Sequence, residues 1–85
     1  MDSVKAFKDK LDQEHDWPGI YIFKFVLPAS QKLELKELFP DESFKEKQSK
    51  AGNYISFTLE KTIHSSDEVV EIYLKAREID GIIAL

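Results

Sequence analysis

Two histidines, a Ser-Ser-Asp run and a scatter of lysines and hydroxyls are the side chains with which this chain could do chemistry. His64, Ser65 and Asp67 carry the letters of a hydrolytic triad, but a triad needs nucleophile, base and orienter brought together by a supporting fold. Ser65 followed by Glu68 reads instead as a helix capping box, with Asp67 adding negative charge at the positive end of the helix dipole. His15 and His64 fall on different elements without the clustered spacing of a metal site, so both are expected to be structural or exposed. The three glycines are too far apart for a GxxxxGK or GxGxxG phosphate loop. The expectation is a protein that is not an enzyme and holds no metal and no cofactor.

The sharpest polar constellation is Lys24 with Tyr54 and Ser56, a cation and two hydroxyls on what read as neighbouring strands. Such a set suits a carboxylate-bearing small molecule or a partner's acidic tail. The plainer alternative has Lys24 snorkelling over Ile22 and Val26 while Tyr54 packs against the first helix. The stretch Ser49 to Asn53, SKAGN, has two readings as well: a nest of backbone N–H groups beside Lys50 that holds an anion, or a hairpin turn. In the second, Gly52 and Asn53 close the turn because glycine accepts positive φ. Gly52 and Asn53 are therefore read as structural, and Lys24, Ser49, Tyr54 and Ser56 as the candidate contacts for a ligand or partner.

The elements that must position these residues follow from periodicity. Val4, Phe7 and Leu11 give one apolar stripe of a helix over residues 3–14, capped by Asp2 or Ser3. Pro18 and Gly19 break it, and Ile20 to Leu27, IYIFKFVL, is the strongest strand. Ser30 is read as the N-cap of a second helix, with Leu35, Leu38 and Phe39 on its stripe and Pro40 as its stop. Ser43 to Lys50 carries three lysines, as a protected edge strand would. Asn53 to Ile63 alternates with period two, and Val69, Ile72, Tyr73, Ala76 and Ile79 form the stripe of a last helix. Asp80-Gly81 stops it, and Ile82 to Leu85 is a short final strand.

This order predicts one α+β domain over residues 1–85, with residues 1–16 as an N-terminal helical extension. The expected core is a ferredoxin-like βαββαβ unit whose antiparallel sheet has the order 4-1-3-2 and two helices on one face. The first strand is apolar on both sides, so the second face calls for a cover: the first helix folded back, or a second copy of the chain. The 85 residues include no cysteine, so a reducing, cytoplasmic setting is expected. No apolar run has the length of a signal peptide or a membrane span. A net charge of −4 opposes nucleic acid.

Phe7, Lys10 and Leu11, the pair Trp17-Pro18, Lys24, the turn Ser49, Gly52, Asn53, Tyr54 and Ser56, and the run VVEIY before the apolar end together resemble the YbeD-like family of small uncharacterised bacterial proteins. Lys50 departs from it, standing where the family often has a second serine, and the segment between the first two strands is shorter. The resemblance implies a ferredoxin-like, ACT-type regulatory fold with no established reaction. It points to a regulatory or interaction domain with a protein partner or small anionic ligand, or to a homodimer sensing an amino acid or organic acid.

Overall fold

The computed structural model describes residues 3–85. Helix α1 (Ser3–Glu14) leads into strand β1 (Gly19–Pro28), a single 3-10 turn (Ala29–Gln31) and helix α2 (Lys32–Leu38). Strands β2 (Lys45–Gln48) and β3 (Tyr54–Ile63), helix α3 (Ser66–Ala76) and strand β4 (Ile83–Ala84) complete the chain. The strands form one antiparallel sheet in the order β2-β3-β1-β4, the expected 4-1-3-2 read from the other edge. The two apolar strands are central and paired over their full ten residues, from Gly19 opposite Ile63 to Pro28 opposite Tyr54.

Alternation sorts the sheet into two environments. Phe23, Phe25 and Leu27 of β1 join Ile55, Phe57, Leu59 and Ile63 of β3 on the helix-covered face, where all are buried. Leu35 of α2, Val69 and Ala76 of α3 and Leu11 of α1 close over them. Burying a large apolar side chain contributes roughly 1.5–3 kcal/mol, so this one face carries most of the stability.

The position of α1 overturns one of the two covers expected for the second sheet face. Phe7 meets the ring of Tyr73 with centroids 5.8 Å apart, Lys8 pairs with Asp67, and Leu11 enters the common core. α1 therefore lies beside α3 on the same side of the sheet, and does not fold back over the other side. The reason is aromatic: Tyr21, Phe23 and Phe25 gather around Tyr73, with centroids 5.3 and 5.9 Å from it for the two phenylalanines. Phe7 completes that cluster.

Local chemistry sets the element ends. Ser65 accepts a hydrogen bond from the Glu68 N–H at the start of α3. The returning carboxylate takes the N–H of His64 rather than that of Ser65, at 2.6 Å, so the box is one residue wider than expected. α3 ends at Ala76; Ile79 is still buried, but from the turn that follows. Ser30 caps nothing: it lies in the 3-10 turn, and α2 begins after Gln31 with no side-chain cap. Of the two residues expected to cap α1, Asp2 lies outside the described residues and Ser3 is the helix's first residue. Gly19 follows a cis Trp17-Pro18 bond and sits so near the Asp16 carbonyl that a Cβ would come within 2.8 Å of it.

Candidate interaction surface

The face of the sheet turned away from the helices is built by the odd-even rule of strands. β1 contributes Ile20, Ile22, Lys24 and Val26, and β3 contributes Tyr54, Ser56, Thr58, Glu60 and Thr62. The short β2 decides the rest. In Lys45-Glu46-Lys47, Lys45 stands opposite Thr58 and Lys47 opposite Ser56, so both lysines join the open face and Glu46 turns to the helices. Ile83 of β4 lies beside Val26.

The result is a lysine-bordered apolar strip. Ile20 is 67% exposed, Ile22 57%, Ile83 52% and Tyr54 48%. One row across the sheet runs Lys45, Thr58, Lys24; the next runs Lys47, Ser56, Val26, Ile83. Strands lie about 4.8 Å apart, so Lys24 and Lys45 flank Thr58 while Lys47 stands beside Ser56. Among the described residues no carboxylate pairs with Lys24, Lys45 or Lys47.

On the covered side several cations are matched. Glu46 receives Lys32 at 2.9 Å and Lys36 at 3.0 Å, clamping α2 to the edge strand. Hydrogen bonds from Lys32 first and Lys36 second hold its carboxyl below the usual range. Lys61 pairs with Glu42, and Lys75 lies 5.1 Å from the ring centre of Phe39.

The four residues singled out from sequence divide. Lys24 and Ser56 are diagonal neighbours on the open face, as expected. Tyr54 shares the face but stands opposite Pro28, four residues along β3 from the Lys24 row, or about 13 Å by strand rise. It is exposed and does not pack on α1. Ser49 belongs to the turn: its N–H donates to the Tyr54 carbonyl at 2.9 Å, and its Oγ accepts from the Tyr54 N–H at 3.3 Å. Ser56 Oγ donates to the Lys47 carbonyl at 3.4 Å, leaving its lone pairs open.

SKAGN is a hairpin connection of five residues, longer than the two-residue turn expected. Gly52 closes a turn onto the Ser49 carbonyl at 3.0 Å with φ of +76°, and an added Cβ there would meet nothing within 4 Å. Backbone conformation rather than space asks for glycine. Asn53 uses its carbonyl, which accepts the Ala29 N–H at 2.8 Å and ties the hairpin to the end of β1.

The triad letters are engaged in structure. Ser65 caps α3, Asp67 pairs with Lys8, and His64 Nδ1 lies 3.1 Å from the Glu68 carboxylate. Sequence reading missed Lys45 and Lys47 as parts of the surface. The signal was there in the Lys-Glu-Lys alternation, but only the register with β3 says which face receives which charge.

Fold and surface define a class: a small α+β protein with an antiparallel sheet, three helices on one side and a cationic, partly apolar open face on the other. Residues 12–85 match the family model described as Protein of unknown function (DUF493), and the chain belongs to that family. It is the family that the resemblance in sequence pointed to. Comparison with curated proteins and with solved structures gives no match. No helix among the described residues is long and apolar enough to cross a membrane.

Proposed function

We propose that this protein is a non-catalytic, regulatory interaction domain that holds an acidic segment of a protein partner against its open sheet face. The observation that carries this reading is the pairing contrast: Lys32, Lys36, Lys61 and Lys75 on the helix-covered side have carboxylate or aromatic partners, whereas among the described residues Lys24, Lys45 and Lys47 have no carboxylate partner and border exposed isoleucines. In a chain of net charge −4, that is a local reversal of sign, and charge complementarity then selects an acidic partner. The element order and the strand order support a ferredoxin-like core of ACT type, and the absence of cysteine fits a cytoplasmic role.

A second copy is a poorer occupant, because two such faces would set lysines against lysines. RNA is also a poorer occupant: the centre of the face holds Ile22, Lys24, Val26, Ser56 and Thr58, and its aromatic residue Tyr54 is at one end, so there is no stacking platform.

The test is affinity capture from the native cell with the wild-type chain and with a Lys24→Glu, Lys45→Glu, Lys47→Glu variant. The expected result is a partner whose binding segment is acidic, lost from the triple variant and retained by Lys10→Glu on α1. A partner held equally by the triple variant overturns the reading. So does a homodimer in light scattering that Ile22→Asp dissociates, which would favour the ligand-sensing dimer.

A further inference from the structure

A second site lies on the other side of the sheet, where α1, α3 and the β1–β4 edge meet. Phe7, Tyr21, Tyr73, Arg77, Ala84 and Leu85 line a cavity of about 400 Å³, within the usual span of small-molecule sites, about 300–1,000 Å³. Its walls are aromatic and aliphatic, and its polar side-chain groups are few: two tyrosine hydroxyls and one guanidinium. Tyr21 and Tyr73 place their hydroxyls 3.3 Å apart. Only one hydrogen can lie between two oxygens, so the other hydroxyl keeps a free O–H to donate. Arg77 adds a guanidinium that no carboxylate pairs with among the described residues. Among the described residues no acidic side chain lines the cavity.

We infer that this cavity binds a small apolar carboxylate: an aromatic or branched acid whose body lies against Phe7 and Tyr73 and whose carboxylate accepts from Arg77 and the free tyrosine hydroxyl. The Arg77 guanidinium and the free tyrosine O–H are both donors, and a carboxylate is acceptor-only. The same donor set disfavours a zwitterionic amino acid, whose ammonium would lie near the Arg77 cation and find no side-chain carboxylate among the described lining residues. The site does not depend on the open face, and Phe7 lies outside the residues matched by the family.

The test is calorimetry and NMR on the full chain with phenylacetate, its neutral analogue phenylacetamide, and phenylalanine. Phenylacetate is expected to shift the ring resonances of Tyr21 and Tyr73 and to bind at least about tenfold more tightly than either analogue, tenfold being about 1.4 kcal/mol. Arg77→Gln, at an exposed position, removes the preference for acid over amide, and Arg77→Lys restores part of it. Tyr73→Phe keeps the ring and weakens the acid alone. Equal binding of acid and amide, tightest binding by phenylalanine, or a preference that survives Arg77→Gln overturns the inference. So does the absence of any shift in those two rings at about 10 mM acid, near the weak limit for so small a ligand.

Discussion

Phe57 and Thr58 are neighbours in β3. Phe57 has no exposure and meets the ring of Phe44 edge-on at 5.7 Å, whereas Thr58 stands between Lys24 and Lys45 on the solvent side. The same division separates Glu46 from the lysines on either side of it. On the helix-covered face, Glu46 and Glu42 are matched with lysines because docked elements bring opposite signs together. On the open face they are left unmatched, although the chain has an excess of carboxylates. On the proposed reading, stability and partner recognition are laid on opposite sides of two strands, and a substitution on the open face is expected to affect binding and spare stability.

The largest break in this comparison is Phe57→Ala. Truncating a fully buried phenylalanine costs about 3–5 kcal/mol, a large part of the whole stability of so small a domain. Urea titration followed by circular dichroism is expected to show the variant mostly unfolded, and a loss below about 1 kcal/mol would contradict the placement of the core. Phe7→Ala probes whether α1 belongs to the covered side. With Phe7 at 37% exposure and one face on Tyr73, the expected loss is about 1–2 kcal/mol in the same titration, with faster amide exchange in α1.

Glu46→Gln tests the clamp on α2. As a partly exposed ion pair it is worth no more than about 1 kcal/mol. Because the folded-state pKa of Glu46 is depressed, its contribution is present above the ordinary carboxylate value and fades as pH falls through the folded one. Wild type and variant should therefore differ at pH 7 and converge in acid below the reference value of 4.5; a gap that widens on acidification would reverse the assignment. The smallest effect is Ile22→Thr on the open face, expected within about 0.5 kcal/mol of wild type in thermal melts, with reduced binding of an apolar dye.

Much of the fold was legible because it rests on local rules. β1 and β3 announced themselves by β-branched and aromatic density and by alternation, α1 by Val4, Phe7 and Leu11, and α3 by the Ser65 cap. What was not legible depends on tertiary choice. Nothing within residues 3–14 says on which side of the sheet α1 will lie; that was decided by Tyr73 and by Tyr21, Phe23 and Phe25, far away in the chain. Ser30 had the chemistry of a cap, but the chain leaving Pro28 turns too tightly, and its 3-10 turn consumes that residue. Of the candidate site, Lys24 and Ser56 were foreseeable as strand neighbours, while Ser49 was absorbed by its own turn. Lys45 and Lys47 waited on a register that no single strand contains.

The Lys-Glu-Lys alternation of β2 also bears on how a partner would experience this molecule at a distance. Far away, an acidic protein meets a net charge of −4 and is repelled. At about 0.15 M salt, however, the Debye length is about 8 Å, while the smallest dimension of the molecule is 23 Å. The carboxylates behind the sheet are then screened out, and at contact the lysines govern the encounter. Association with an acidic partner should accordingly speed up as salt is first added and slow only later, the reverse of the simple decline that opposite net charges produce.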